Sequence, residues 1–233
     1  MHVNLTKLLI VILALAVVSS TISCTSHHKL YKPGGPMLSL HDAAIHYPSR
    51  IDERIDAGEN VNNTNHMFGT PLMAAVRFGK TESVAALLAR NANPNIPDKI
   101  GHLPLPFAAR RGNAHSGNMQ EIVKLLVKHG ADINAKGYYG RTALHYAAIH
   151  GDIEMASFLL DNGADLNLRG DVFGFSPLFC AVNSQKAPMV EFLLAKGASV
   201  SLTDDSKRTV MDIARHKNPE IVRLLQQHQT SQN

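Results

Sequence analysis

The chain has little material for covalent or charge-driven stabilisation. Its 233 residues include no tryptophan and two cysteines, and aromatic residues make up only 6% of them. Charged residues make up 18%, and no block of like charges appears. If Cys24 is modified at the N-terminus, as argued below, Cys180 has no partner for a disulfide and is expected to be a small packed side chain. The fold must then be stabilised by packing alone.

Motifs of common enzymatic chemistry are also missing. The sequence contains no Gly-rich phosphate loop, no Cys-x-x-Cys, no His-Glu-x-x-His and no Gly-x-Ser-x-Gly. Histidine is abundant, with 13 residues, but His145 and His150 are five apart, a poor spacing for a shared metal on one helix. His27 and His28 could bind metal adventitiously. We therefore predict no catalytic residue, no metal site and no cofactor, and keep a histidine-based enzyme or metal protein as the less favoured alternative.

One phrase recurs five times along the chain. Its copies are Gly69–Ala75, Gly101–Ala109, Gly140–Ala148, Gly174–Ala181 and the weaker Lys207–Ala214. The steps between the first residues of these copies are 32, 39, 34 and 33 residues. A fixed period near 33 residues is typical of a stacked repeat array.

The copy that begins at Gly140 shows the local structure of one unit. Thr142 occupies an N-cap position, and its hydroxyl can accept a hydrogen bond from a free backbone N–H. Leu144, Ala147 and Ala148 follow at helical spacing on one face. Gly151 is placed to end this helix, because glycine tolerates positive φ. The second helix that follows carries an apolar stripe, so the pattern predicts a helix-turn-helix unit.

The second half of the unit recurs as well. It pairs Leu87-Leu88 with Asn91–Asn95, Leu125-Leu126 with Gly130–Asn134, and Leu193-Leu194 with Gly197–Val200. Together the two halves resemble the ankyrin repeat over about Leu38 to Gln227. The resemblance implies an all-α ankyrin-repeat solenoid of stacked helix-turn-helix units with hairpin-like finger loops, about six units including degenerate caps. It also implies that His145, the motif histidine, makes a structural bond to neighbouring backbone.

Three units depart from the pattern. Leu40–Ala44 with Ile55–Asn62 is interpreted as an N-terminal cap, and the unit that ends at Ile221–Leu225 as a C-terminal cap, since terminal repeats have one face in water. The third unit carries six extra residues between its helices, including His115, Ser116 and Gly117. This insertion is either tolerated decoration, which we favour, or a partner contact.

The first 23 residues have the order of a secretory signal peptide. Lys7 precedes an apolar run of eleven residues from Leu8 to Val18, and small polar residues follow. The run Thr21-Ile22-Ser23-Cys24 resembles a bacterial lipobox, which implies lipidation of Cys24, although Thr21 stands where leucine is usual. Cleavage near Ser20 and soluble export is the alternative. The domain prediction is therefore signal peptide 1–23, flexible tether 24–37, repeat domain 38–227 and disordered tail 228–233.

In the ankyrin family the fingers and the exposed side of each first helix form a concave binding face. The equivalent residues here are rich in tyrosine, phenylalanine and arginine, residue types enriched at protein interfaces. Tyr138 and Tyr139 could instead pack along neighbouring fingers, and Arg110 and Arg111 could be a solvated helix end. The predicted partner-binding residues are His66, Met67, Arg77, Phe78, Arg110, Arg111, Tyr138, Tyr139, Arg141, Ile149, His150, Phe173 and Phe175, with Lys99, Ile100, His102, Val172, Asn183 and Ser184 at equivalent positions.

These observations predict a non-enzymatic protein-interaction scaffold in the bacterial periplasm, anchored to the outer membrane by an N-terminal lipid. Its partner is a protein of unknown identity. The mature chain has 22 basic and 19 acidic residues once Lys7 is removed, a balance that does not favour nucleic acid. Membrane contact is expected only through a lipid on Cys24. An immunity protein that neutralises a toxic enzyme such as a lipase is a narrower alternative, and a structural organiser of the envelope is another.

Overall fold

The computed structural model describes residues 38–111, 119–137 and 139–231. The predicted signal peptide, Cys24 and the tether lie outside these ranges. So do Tyr138 and most of the insertion in the third unit. From Ser39 onward the chain forms one compact unit.

Within the described ranges the chain forms twelve α-helices and no β-strand, apart from isolated bridges at Asn65–Gly69 and Thr203–Thr209. The all-α prediction is confirmed. The helices come in six consecutive pairs, which we call repeats 1 to 6. The pairs are α1 Leu40–His46 and α2 Ile51–Asp56; α3 Pro71–Arg77 and α4 Thr81–Ala89; α5 Pro104–Arg111 and α6 Met119–Lys128; α7 Ala143–His150 and α8 Ile153–Asp161; α9 Pro177–Asn183 and α10 Ala187–Ala195; α11 Val210–Arg215 and α12 Pro219–Ser231.

Most first helices of the repeats begin at a side-chain cap. The hydroxyls of Thr70, Ser176 and Thr209 each accept a hydrogen bond from the backbone N–H three residues later, at 3.1, 3.4 and 3.2 Å. Proline follows Thr70 as the first helical residue, where its missing N–H costs nothing. At the other end of α7, Gly151 closes the helix with φ of 77°. Caps and stops are therefore local consequences of the repeated phrase.

The first helices stack in series, α1 on α3, α5, α7, α9 and α11. Small side chains fill the seam between them. The alanines of this seam are 0 to 2% exposed: Ala44, Ala75, Ala109, Ala148 and Ala181. The second helices cover the stack with leucines, of which Leu87, Leu126, Leu159 and Leu193 are fully buried. Burying such a leucine contributes about 2 kcal/mol, so the core is one continuous layer shared between repeats.

An asparagine ladder joins successive repeats from repeat 1 to repeat 5. The side-chain oxygens of Asn62, Asn95, Asn134 and Asn167 accept hydrogen bonds from the backbone N–H of Asn93, Asp132, Asp165 and Ser199, at 2.8 to 2.9 Å. Each asparagine ends the repeated phrase that follows a second helix. The ladder thus satisfies backbone groups that would otherwise need water.

The C-terminal tail prediction is corrected over part of its length. Helix α12 continues to Ser231, four residues beyond Gln227. The stretch Gln227–Thr230 contains neither glycine nor proline, so nothing in it stops the helix.

Candidate functional site: fingers and first-helix ends

Between consecutive repeats the chain forms a short finger, closed at its base by one backbone hydrogen bond. We number the fingers 2 to 6 by the repeat they precede. The closing bonds run from the N–H of Asn65 to the oxygen of Gly69, Asp98 to His102, Gly137 to Arg141, Gly170 to Phe175 and Asp204 to Arg208, at 2.9 to 3.0 Å. Finger 5 holds four residues between the bonded pair, where the other fingers hold three.

Four successive fingers expose a large apolar side chain at the tip. The exposed fractions are 75% for Met67, 57% for Ile100, 44% for Tyr139 and 59% for Phe173, and Val172 beside Phe173 is 40% exposed. We call these five residues the finger-tip row. Isolated exposed apolar residues are common on protein surfaces, but a repeated set at one structural position is not explained by packing.

Side-chain and backbone contacts join neighbouring fingers. Lys99 of finger 3 contacts the ring nitrogen of His66 in finger 2. Asp171 of finger 5 accepts from Lys136 at 2.6 Å and donates its N–H to the oxygen of Gly140 at 3.2 Å. Gly140 has φ of 64°, and a Cβ there would lie 2.4 Å from the Asp171 side chain. Only glycine therefore allows fingers 4 and 5 to approach this closely.

The ends of the first helices lie beside the fingers. Arg77 of α3 reaches Asp98 at the base of finger 3, with an N–O distance of 2.7 Å. Burial raises the pKa of the Asp98 carboxyl. Hydrogen bonds from His102 and Ile100 outweigh this effect and hold the pKa of Asp98 below its usual value. Phe78 is 41% exposed and meets Phe68 edge-on, with the ring centroids 5.4 Å apart. This part of the face combines a neutralised ion pair with exposed aromatic surface.

Comparison with known proteins assigns this arrangement to a family. Models of ankyrin repeats match residues 40–136, 113–160 and 173–205. The crystal structure of an ankyrin repeat domain from Acinetobacter baumannii AYE superposes with a TM-score of 0.73 and 27% identity, covering 82% of this chain and 97% of that domain. A second ankyrin repeat protein of known crystal structure gives a TM-score of 0.72 and 31% identity, covering 84% of this chain and 98% of that one. The chain is an ankyrin repeat protein.

Curated ankyrin relatives are much longer proteins. The ankyrin repeat protein nuc-2 of Neurospora crassa is 31% identical over 177 residues, which cover 74% of this chain and 16% of nuc-2. The nuclear factor NF-kappa-B p105 subunit of Gallus gallus is 30% identical over 182 residues, 76% of this chain and 18% of that subunit. The chain thus spans less than a fifth of these relatives. What the match shares is the ankyrin array, a protein-interaction module and not a catalytic one.

The motif histidine has the structural role that the ankyrin resemblance implied. His145 is fully buried, and its Nε2 donates to the oxygen of Phe175 in finger 5 at 2.9 Å. Its Nδ1 faces the hydroxyl of Thr142 at 2.8 Å and accepts the Thr142 N–H at 3.2 Å. These bonds suit a neutral ring with the proton on Nε2. Burial lowers the pKa of His145 to about 4, so the ring ties repeat 4 to finger 5 without carrying charge.

One predicted binding residue belongs to the core. Phe175 is 9% exposed and stacks on Phe179 with ring centroids 5.4 Å apart and planes 13° from parallel. Its position is equivalent to Arg141 in finger 4, at the base and not at the tip. Phe173, two residues earlier, is the aromatic side chain that finger 5 exposes. Phe175 is therefore removed from the predicted binding set.

The other predicted residues divide by their contacts. Ile149 is half-buried and packs on the core, and the Nε2 of His150 contacts the oxygen of Arg110 at 2.9 Å, joining repeats 4 and 3. Arg110 and Arg141 are half-buried. The side chain of Arg111 lies outside the described part of the chain. Tyr146 on α7 is buried, 5% exposed.

Candidate metal ligands do not cluster in the described part of the chain. Across residues 38–111, 119–137 and 139–231, no group of three or more His, Cys, Asp or Glu is placed to hold a metal ion. Burial raises the pKa of the Cys180 thiol to about 12, which suppresses the reactive thiolate.

A search of the described helices finds none with the length and apolarity needed to cross a membrane.

Proposed function

We propose that this ankyrin array binds a protein partner through its fingers and first-helix ends, as an exported scaffold of the bacterial cell envelope. The observation that carries the proposal is the finger-tip row, in which four successive fingers expose apolar side chains at one structural position. Aromatic residues and methionine are enriched at the centres of protein interfaces. A partner that covers the row would bury this surface, and a few such anchors supply most of the binding free energy.

The exposure of apolar side chains in the finger-tip row is better explained by a binding partner than by a role in folding. Its side chains extend from finger tips, where the neighbouring repeats offer no core to fill, and their exposure is 40% or more. By contrast, the core of every repeat is closed by fully buried leucines and alanines. The row therefore adds little to the core, although the ring centroid of Phe173 lies 5.7 Å from that of Phe175.

Crosslinking from the row tests the proposal. The full chain is expressed in its host with a photoreactive amino acid at position 67 or 173, and the crosslinked protein is identified by mass spectrometry. Met67→Ser, Ile100→Ser, Tyr139→Ser and Phe173→Ser, combined, should weaken capture of that protein at least tenfold in a pull-down. Ile153→Ser is the matched control, since Ile153 is 37% exposed on α8, outside the row. Equal loss in the control, or no loss in the combined variant, would contradict the proposal.

The cellular location is a separate part of the proposal and is supported by the N-terminal sequence. Lys7, the apolar run from Leu8 to Val18 and the Thr21–Cys24 lipobox-like phrase support export and lipidation on Cys24. A chain labelled with palmitate in cells should lose the label in Cys24→Ala. Unfolded protein purified from the envelope should also expose one free thiol, that of Cys180. Two free thiols and no label would favour cleavage near Ser20 and soluble export.

A further inference from the structure

Two lysine side chains reach from one repeat to the end of the first helix in the repeat before it. Lys186 precedes α10, and its Cδ lies 3.1 Å from the position that a Cβ on Gly151, at the end of α7, would occupy. Lys217 precedes α12, and its Nζ donates to the backbone oxygen of Asn183, at the end of α9, at 2.9 Å. The C-terminal ends of two consecutive first helices are therefore each covered by a lysine.

Arg110 extends this series to the end of α5. Its guanidinium lies 5.0 Å from the centre of the Phe107 ring, and its backbone oxygen is 2.9 Å from the Nε2 of His150 at the end of α7. Since α5, α7 and α9 stack in series, three basic side chains stand at the same end of three consecutive first helices. We call Arg110, Lys186 and Lys217 the helix-end strip.

The helix-end strip carries positive charge that no carboxylate of the chain neutralises. The ion pairs of the described residues include none of its three side chains. All 19 acidic residues of the sequence lie between Asp42 and Glu220 and inside the described ranges, and residues 112–118 contain neither Asp nor Glu. The segments outside the described ranges therefore have no carboxylate to supply.

The lysines are positioned by the preceding repeat and not by their own helices. Lys186 is the N-cap residue of α10 but makes no capping hydrogen bond, because an ammonium group has no acceptor. At the equivalent position of α8, Asp152 accepts a hydrogen bond from the N–H of Met155 at 2.9 Å. The C-terminal end of the preceding first helix has a partial negative charge that attracts a cation. This attraction holds the lysine in place but supplies less than a full counter-charge.

We propose that the helix-end strip binds an acidic segment of the protein partner, with one Asp or Glu at each of three consecutive repeats. This inference rests on the proposed function and specifies the chemistry of the partner. Carboxylates accept charge-assisted hydrogen bonds from arginine and lysine, which are stronger than bonds between neutral groups. The uncompensated charge of the strip is therefore complementary to a row of carboxylates.

The spacing of the repeats selects the conformation of that segment. Packed helices lie about 8 to 10 Å apart, so successive basic side chains of the strip are separated by about one such step. A chain in the polyproline II conformation has three residues per turn and advances about 9 Å per turn. Acidic residues at every third position of such a segment lie on one face and meet successive repeats.

An acidic protein segment fits this surface better than the phosphates of a membrane. Attraction to an anionic membrane depends on a cluster of exposed basic residues. The strip is a single file, and Arg110 and Lys186 are half-buried. At the end of α3, Arg77 is already paired with Asp98 at 2.7 Å. A narrow segment can reach each charge of the file in turn.

Synthetic peptides test both the charge and the spacing without knowledge of the natural partner. The regular peptide repeats Glu-Pro-Pro four times and carries a fluorescent label. The clustered peptide has the same composition, with its four glutamates adjacent, and the neutral peptide has glutamine in place of each glutamate. Binding of each peptide to the full chain is measured by fluorescence anisotropy at low and at high salt.

Variants of the chain locate the binding. The strip variant removes three charges: Arg110→Gln, Lys186→Gln and Lys217→Gln. The control removes three charges from exposed positions on or next to second helices: Lys128→Gln, Lys196→Gln and Arg223→Gln. A third variant keeps the charge of the strip: Arg110→Lys, Lys186→Arg and Lys217→Arg. Thermal unfolding checks that each variant is folded.

The regular peptide should bind the wild type and the control at least tenfold more tightly than the clustered or the neutral peptide does. The strip variant should lose at least tenfold in affinity for the regular peptide, and the charge-keeping variant less than threefold. Raising the salt concentration should weaken the binding, because exposed charges are screened. Equal affinity for the regular and clustered peptides, or equal loss in the control, would overturn the inference.

Three further outcomes separate this inference from the function on which it rests. If no acidic peptide binds while the finger-tip row still crosslinks to a protein, the proposed function stands and the inference is wrong. If the peptides do not bind and the row yields no crosslinked protein, both fail. If vesicles of phosphatidylglycerol bind the wild type and not the strip variant, while the peptides do not bind, the strip takes lipid phosphate and the inference is wrong.

Discussion

A buried side chain at one position can set how the molecule responds to pH, and His145 is such a residue here. It is fully buried, bonded at both ring nitrogens and held neutral with a pKa of about 4. In the unfolded chain a histidine titrates near 6.5. Because the unfolded state binds the proton first, stability is complete above pH 6.5 and falls as the pH drops toward 4.

This linkage predicts that His145 lowers the free energy of unfolding by about 2 kcal/mol between pH 7 and pH 5. The measurement is urea unfolding at both values for the wild type and for His145→Gln, which removes the titration. His145→Gln should be less stable at pH 7, but its loss on going to pH 5 should be smaller by that amount. A native-state NMR titration that places the His145 pKa near 6.5 would contradict the argument.

At the scale of the helices, adjacent repeats are held together by contacts that cross a narrow seam. Small residues such as Ala148 and Ala181 allow α7 and α9 to pack closely, and the asparagine ladder joins the turns after the second helices. The sequence pattern marks the small residues and the asparagines as recurring positions, but it does not show what they contact. The partner of Asn134, for example, is Asp165, 31 residues away in the next repeat. Helix propensity and capping explain each helix, and packing between repeats explains why the helices persist.

Breaking one rung of the ladder should measure its contribution. Asn134→Ala removes the acceptor for the Asp165 N–H, 2.8 Å away, and a donor to the Gly163 oxygen at 3.3 Å. We expect a loss of about 1 to 2 kcal/mol in the free energy of unfolding. Asn162→Ala is the control, because among the described residues the Asn162 amide donates only to the oxygen of Phe158, in the helix that Asn162 caps, at 2.8 Å. Equal effects in a denaturant titration would show that the cross-repeat bond has no special weight.

Enlarging a seam residue should separate the repeats. Ala148 is fully buried, so Ala148→Leu adds three carbon atoms where no space exists. Overpacking of this kind costs about 1 to 3 kcal/mol. Ala195→Leu, at an exposed position at the end of α10, should change stability little. The comparison requires only melting temperatures, and similar values for both variants would show that the seam tolerates expansion.

At the scale of the whole molecule, the array depends on its ends. Each repeat buries its apolar face on its neighbours, and α11 and α12 cover α9 and α10. In such arrays stability is approximately a sum over repeats and the interfaces between them, and capping repeats maintain solubility. The proposed interaction surface and the source of stability are therefore located in different parts of the same repeat, the fingers and the buried faces.

Removing the final repeat should expose that internal face. A chain that ends at Thr203 loses α11 and α12 and uncovers Val182 and Leu194, which are 0% and 5% exposed in the full array. We predict a lower melting temperature, binding of a hydrophobic dye and concentration-dependent association. Sedimentation velocity of both chains at matched concentrations measures the last effect. A truncated chain that stays monomeric and melts at the full-length temperature would contradict the role of the cap.

The sequence by itself determined the number of repeats, the helix pairs, the caps and the structural role of the motif histidine. All of these depend on local chemistry that each copy of the phrase carries within about 33 residues. Contacts with the neighbouring repeat decided which side chains are exposed and which are packed. Phe173 and Phe175 are the same residue type, two positions apart, so the sequence does not tell which of them is exposed. In finger 5, which is one residue longer than the other fingers, Phe173 is exposed and Phe175 stacks on Phe179. Both outcomes required the stack, because the exposure of a side chain is set by contacts between repeats.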